Sequence, residues 1–249
     1  MNRRRYPRSY RAVALVLRPI LMVITRRRWS GQEHLPAQGG VIAAANHVTN
    51  VDPLTFAHFL YDSGRAPRIL AKDSLFTVPG FGWLLRKTGQ IPVHRGSARA
   101  GDSLEAAVAA LEKGECVAVF PEGTLTRDPE MWPMTAKTGV ARLALTTRAP
   151  VIPVAQWGAH ELLGRYSTVL KPVPPKTVYV QAGPPVDLSD LYDRPQDAAV
   201  LREATSRVMA AITAMLADIR HEEPPSRPYD MRRDGDPRAA AKAAQRQGK

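Results

Sequence analysis

Between Gly40 and Gly183 the chain alternates short apolar runs with amphipathic stretches, and this alternation limits the fold more than any other feature. "VIAAA" (41–45), "PRILAK" (67–72), "QIPV" (90–93), "CVAVF" (116–120), "VIPVAQ" (151–156) and "TVYVQAG" (177–183) are short, aliphatic and bounded by turn residues, which predicts strands. "DPLTFAHFLYD" (52–62), "FGWLLRKTG" (81–89), "DSLEAAVAALEKG" (102–114) and "TGVARLALTTR" (138–148) carry helical spacing between them. "AVLREATSRVMAAITAMLADI" (199–219) predicts a closing amphipathic helix. Strands that alternate with helices imply an α/β fold, a mainly parallel central sheet flanked by helices. Loops at the carboxyl ends of its strands are the expected place for a site. A length of 249 residues at 44% hydrophobic content suits one such domain, placed here at 29–220.

The N-terminus is of another kind. Nine arginines fall within residues 3–28, and no Asp or Glu precedes Glu33, so much of the formal charge of +12 sits at one end. Within this segment "YRAVALVLRPILMVI" (10–24) is apolar but interrupted by Arg11, Arg18 and Pro19. It is shorter than the roughly 20 apolar residues that a spanning helix needs. No small-residue cleavage site follows it, as a signal peptide would require. On a helix Arg4, Arg8, Arg11 and Arg18 share one face. Residues 1–28 therefore read as an interfacial helix on an anionic membrane surface, the alternative being a core helix with a basic edge. Nucleic acid is not an expected partner, because stacking aromatics are sparse and no binding motif is present. Residues 221–249, rich in Pro, Ala and mixed charge, read as a disordered charged tail. Cys116, the single cysteine, excludes an internal disulfide and lies in an apolar run as a core thiol.

Three charged turns follow three of the strands: "NHVTNVD" after 41–45, "HRGSA" after 90–93 and "PEGTLTRD" after 116–120. In a parallel sheet all three emerge on one edge. His47 and Asp52 stand five residues apart, an interval that brings two side chains together only if the backbone between them turns. Asp52 before Pro53 is also a good helix N-cap, and one carboxylate can do both. A carboxylate-held imidazole has a fixed tautomer and can take a proton from an alcohol. G-x-S-x-G is absent, so that alcohol belongs to a substrate. Arg95 and Arg127 suit a phosphate, and Gly123 beside Glu122 lets the backbone approach a ligand. Taken singly, Glu122, Arg95 and Arg127 also read as solvated turn charges.

These blocks resemble those of the glycerolipid acyltransferases, the family that includes 1-acyl-sn-glycerol-3-phosphate acyltransferase. "NHVTNVD" is similar to the family's H-x4-D block, "GQIPVHR" (89–95) to its second, "FPEGT" (120–124) to its third and "VIPVA" (151–155) to its fourth. The likeness spans about residues 40–185. Two departures stand out: Pro92 replaces a frequent aromatic, and "GTLTR" carries its arginine two positions later than many members do. The resemblance implies direct acyl transfer from acyl-CoA or acyl carrier protein to the hydroxyl of a lysophospholipid, giving phosphatidic acid from 1-acyl-sn-glycerol 3-phosphate. It implies His47 as general base and Asp52 as its orienter. Arg95, assisted by Arg127, would hold the acceptor phosphate, and Glu122, Gly123 and Thr124 would shape the acceptor pocket. Backbone N–H groups from Asn46 to Val48, with Lys72, are candidates for stabilising the oxyanion. No cofactor and no metal would be needed, and the enzyme would work at the cytoplasmic face of the cell membrane as a peripheral or monotopic protein. Glycerol 3-phosphate, another lysolipid or a glycolipid are alternative acceptors. A non-catalytic basic protein that binds membrane or nucleic acid through residues 3–28 is the rival of a different class.

Overall fold

The structure, a computed structural model, describes residues 6, 8–94 and 100–238. In chain order it forms α1 (Arg8–Ile24), β1 (Thr25–Ser30), β2 (Val41–Ala45), α2 (Asp52–Asp62), β3 (Pro67–Lys72), α3 (Phe81–Lys87) and β4 (Ile91–Val93). It continues with α4 (Ala100–Glu112), β5 (Cys116–Val119), α5 (Gly139–Thr147), β6 (Val151–Trp157), α6 (Ala159–Leu162), β7 (Lys176–Ala182) and α7 (Ala198–Arg220). The strands make one sheet in the order β1-β7-β6-β2-β5-β3-β4. From β6 to β4 all neighbours run parallel. β7 is antiparallel to β6 and parallel to β1. The expected mainly parallel sheet flanked by helices is thus the observed architecture.

β2 shows why the apolar runs become central strands. Every residue of it is buried, with Val41, Ala43 and Ala45 in one core and Ile42 and Ala44 in the other. A strand covered on both faces needs apolar side chains at every position, so period-two alternation disappears. The small Ala43 and Ala45 share their core with the rings of Phe56 and Phe59 from α2. On the other face Ile42 and Ala44 meet Leu143 of α5 and Val208 and Ile212 of α7. Cys116 is buried as expected, in the core of Val41, Ala43 and Ala45, and burial pushes its thiol up to about 12.

Three expectations about the ends of the chain need correction. The boundary between 28 and 29 cuts through β1, in which "TRRRWS" pairs with β7. Its alternation is hidden by arginines, but Arg26 and Arg28 are exposed while Arg27 stacks over Trp29 and approaches Asp62. Charged side chains on an edge strand discourage further strand pairing. The basic stripe of α1 is also divided. Arg8 and Arg11 are exposed, but Arg18 donates to Asp62 of α2 at 2.8 Å, and Arg4 lies outside the described residues. Finally, residues 221–238 lie back along the domain instead of forming a loose tail. The Thr135 N–H donates to the Tyr229 carbonyl, Arg127 faces Asp236 at 3.4 Å, and Arg238 stacks over Tyr166.

Helix α1 packs by Leu21, by the Arg18–Asp62 pair and by Tyr10 stacked on Tyr61. Its outer side leaves Leu15, Val16, Ile20 and Val23 more than half exposed. Among the described residues no helix is long and apolar enough to cross a membrane.

Candidate active site

The turn that the His47–Asp52 interval requires is present at the carboxyl end of β2. Helix α2 starts at Asp52, with Val51 at the cap position, and the Asp52 side chain does not cap it. The carboxylate points back instead. One oxygen, Oδ2, accepts from the Val48 N–H at 2.5 Å and the Thr49 N–H at 2.8 Å, and meets His47 Nδ1 at 3.0 Å. A carboxylate oxygen held in place by two N–H groups is a fixed acceptor for a third donor. His47 Nδ1 therefore carries a proton, and Nε2 is left as the basic nitrogen. The ring stacks on Phe120 at 4.2 Å between centroids, which fixes its plane.

The backbone of His47 is held as firmly as its side chain. Its N–H donates to Glu122 Oε1 at 2.9 Å, and its carbonyl accepts from the Thr126 N–H at 2.7 Å. The second oxygen of Glu122 accepts from the Met134 N–H at 3.1 Å. Glu122 is 2% exposed, and burial pushes its carboxyl up to about 8 despite the two backbone donors. The sequence placed Glu122 at the wall of an acceptor pocket. Its position is behind that wall, as a bracket joining the β2 and β5 turns. Arg127 is also turned away. It is buried, with Nη1 on the Leu125 carbonyl, Nη2 on Thr124 Oγ1 and the guanidinium facing Asp236 and Tyr166. Its Nη1 and Nη2 donors are thus engaged within the protein. Arg95 lies outside the described residues.

The His47 and Val48 amides are engaged by carboxylates, so these two expected oxyanion donors are used internally. Gly123, Thr124 and Leu125 instead line the same cavity as His47, as does the exposed Lys72. Gly123 has φ +70°, and a Cβ there would meet the Lys137 chain at 3.3 Å. Lys137, an exposed cation beside the turn, was not singled out from the sequence.

A polar lock under the site also escaped the sequence reading. Asn46 Nδ2 donates to the Gln156 carbonyl at 3.0 Å, and the Gln156 N–H donates to Asn46 Oδ1 at 2.8 Å. Gln156 Nε2 donates to the Asn46 carbonyl at 2.9 Å, while Thr55 Oγ1 reaches Gln156 Oε1 at 3.2 Å. All three residues are buried. Such a satisfied network fixes the exit of β2 against β6, and so the start of the His47 turn. The signal was a polar residue closing each of two apolar strands, "AAAN" and "IPVAQ".

The cavity has a volume of about 700 Å³ and runs between α1, α2, β3 and α3. His47, Asn50, Lys72 and Thr124 line it at the carboxyl-end turns of the strands, and Leu17, Leu21, Leu54, Ile69, Leu84 and Leu85 give it apolar walls. A base with one free nitrogen, at the head of an apolar cavity with a lysine nearby, can activate a hydroxyl of an amphiphile.

Comparison with known proteins places the chain in a family and supports the fold. The family model described as Acyltransferase matches residues 26–157, more than half of the chain. The 1-acyl-sn-glycerol-3-phosphate acyltransferase of Borreliella burgdorferi is 27% identical over 80% of this chain and 76% of its own. That of Salmonella typhimurium is 30% identical over 74% of this chain and 70% of its own. Among solved structures, the 1-acyl-sn-glycerophosphate (LPA) acyltransferase PlsC of Thermotoga maritima has a TM-score of 0.66 at 21% identity, covering 86% of this chain and 81% of its own. That likeness speaks for the fold, and the sequence matches for the family. The chain belongs to the acyltransferase family, as an O-acyltransferase alongside the 1-acyl-sn-glycerol-3-phosphate acyltransferases.

Proposed function

We propose that the chain transfers a fatty acyl group from a thioester, acyl-CoA or acyl carrier protein, to the free hydroxyl of 1-acyl-sn-glycerol 3-phosphate. The observation that carries this reading is the His47–Asp52 pair, closed at 3.0 Å, at the head of the 700 Å³ apolar cavity. A volume of this size lies in the usual range of small-molecule sites. His47 Nε2 takes the hydroxyl proton as the oxygen attacks the thioester carbonyl. The C–S bond then breaks, and the thiolate leaves with a proton returned by the imidazolium. Asp52 keeps Nδ1–H in place and stabilises the transient imidazolium charge. Lys72 and the backbone N–H groups of Thr124 and Leu125, which line the same cavity, donate to the developing oxyanion. Arg95, with Lys137 beside the Gly123 turn, holds the acceptor phosphate. The apolar walls take an acyl chain. Helix α1, with Arg8, Arg11 and its exposed aliphatic face, rests on an anionic membrane at the cytoplasmic face.

Purified protein, labelled acyl-CoA and a panel of acceptors, with products read by mass spectrometry, test the reading. Phosphatidic acid is the expected product. His47→Ala should lower turnover by at least about 10²-fold at unchanged melting temperature. Turnover of His47→Ala above about a tenth of normal would rule out His47 as the base.

A further inference from the structure

Nine residues, Leu75 to Trp83, leave four large apolar side chains open to solvent: Leu75, Val78, Phe81 and Trp83, the last 58% exposed. This display is fixed. The Gly82 N–H donates to the Val78 carbonyl at 2.7 Å, and Arg86 Nη1 donates to the Phe76 carbonyl at 2.7 Å. A Cβ at Gly82 would come within 2.0 Å of that same carbonyl oxygen, so the loop is packed tightly on buried Phe76. Leu75 and Phe81 line the cavity and are exposed, which places them at its mouth. Val78 and Trp83 are not among the lining residues and project outward. Ser9 of α1 donates to the Lys87 carbonyl at 2.5 Å, so α1 and α3 border the mouth together.

We infer that the segment Leu75–Trp83 is a second membrane-contact element, which seats the cavity mouth on an anionic lipid bilayer. The inference rests on the proposed function, in which the cavity takes a lipid acyl chain. Charge selects the occupant. Lys72, Arg86 and Lys87 flank the segment and are exposed, while Asp73 is the one carboxylate between residues 63 and 94 and faces His94 at 3.4 Å. Apolar tips beneath a cationic collar match a surface with phosphate outside and hydrocarbon inside. A tryptophan suits that boundary, having an apolar body and a polar N–H. A chain that passes from bilayer to cavity through Leu75 and Phe81 avoids crossing water, whose avoidance favours the transfer at each methylene.

The test uses the full chain with vesicles of phosphatidylcholine and phosphatidylglycerol, with or without bromine on the acyl chains. Trp132 is buried and Trp29 and Trp157 are partly covered, so Trp83 is the tryptophan that brominated chains can reach. Quenching of the wild type that is mostly absent in Trp83→Phe is the expected result. Val78→Ser with Trp83→Ser should weaken vesicle partition by about tenfold at unchanged melting temperature. Wild type that sediments with vesicles but is not quenched, or a double variant that binds within about twofold of wild type, overturns the inference and leaves the proposed chemistry standing. Wild type that does not sediment overturns every membrane contact, and transfer to a water-dispersed acceptor then judges the catalytic reading separately.

Discussion

Replacing Asp52 by Asn is the most informative single change, because the structure separates what it removes from what it keeps. The amide retains an acceptor oxygen for the Val48 and Thr49 N–H groups, so the turn can persist. What it loses is charge beside the imidazolium. At the observed 3.0 Å, two unit charges in an effective dielectric of about 20 attract by roughly 5.5 kcal/mol. The amide dipole and water at the open side of the ring offset part of this, leaving about 3–4 kcal/mol in the transition state, or about 10²–10³-fold in kcat. Asp52→Ala provides the contrast. It strands two N–H groups in a buried turn at about 1–3 kcal/mol each, so it should lose stability as well as turnover. The assay is thiol release from acyl-CoA at saturating acceptor, with thermal melts of all three proteins. Asp52→Asn with kcat within about threefold of wild type, below 1 kcal/mol of barrier, would refute the dyad and leave Asp52 as a turn residue only.

Other substitutions test other parts. Arg95→Ala should cost about 1.5–3 kcal/mol, tenfold or more in kcat/KM, with a phosphorylated acceptor while the KM for acyl-CoA holds. An equal loss with a phosphate-free acceptor would assign Arg95 another task. Asn46→Ala orphans the buried N–H and carbonyl of Gln156, and urea titration should show about 2–4 kcal/mol of lost stability. A loss below about 0.5 kcal/mol would mean that water replaces the lock. His58 is buried against Trp29, and burial first, helped by Arg27 and Arg18 against the pull of Asp62, lowers its pKa to about 4. A depressed base is neutral in the fold, so its contribution is whole above about 6.5 and is lost as pH falls towards 4, by at most about 3 kcal/mol. Denaturant midpoints across that window should slope in wild type and flatten in His58→Gln.

How much of this was legible depended on whether the signal was local. "VIAAA" and "VIPVAQ" read as central strands because burial on both faces requires unbroken apolar runs. The His47–Asp52 meeting was legible because an odd interval plus turn residues leaves few geometries. β1 was not, since an edge strand tolerates arginine at adjacent positions and "TRRRWS" then resembles an extension of the basic helix. Asp52 before Pro53 carries the local signature of a cap, and what overrode it lay in the loop: two N–H groups and an imidazole compete better for one oxygen than one frayed helix end does. The roles of Glu122 and Arg127 were hidden for a different reason. The partners of Glu122 are backbone amides 75 and 12 residues away, and Arg127 faces a carboxylate in a segment whose composition suggests disorder.

Three carboxylates near the cavity thus divide the labour by what surrounds each of them. Asp52 has donors on every side of one oxygen and serves the imidazole. Glu122 has lost its water, which favours the neutral form, yet each oxygen is spanned by an amide from a different segment, so it acts as a strut for the histidine backbone. Asp62 keeps partial access to solvent and holds Arg18, fixing α1 over the apolar walls. Sequence alone shows three acidic residues in or beside turns. The first orients the His47 imidazole, and the other two determine where that imidazole sits and what closes over the cavity. His47, held at side chain and backbone, has little freedom to leave its place, and the proposed mechanism, which uses no protein nucleophile, relies on that fixity to align two substrates.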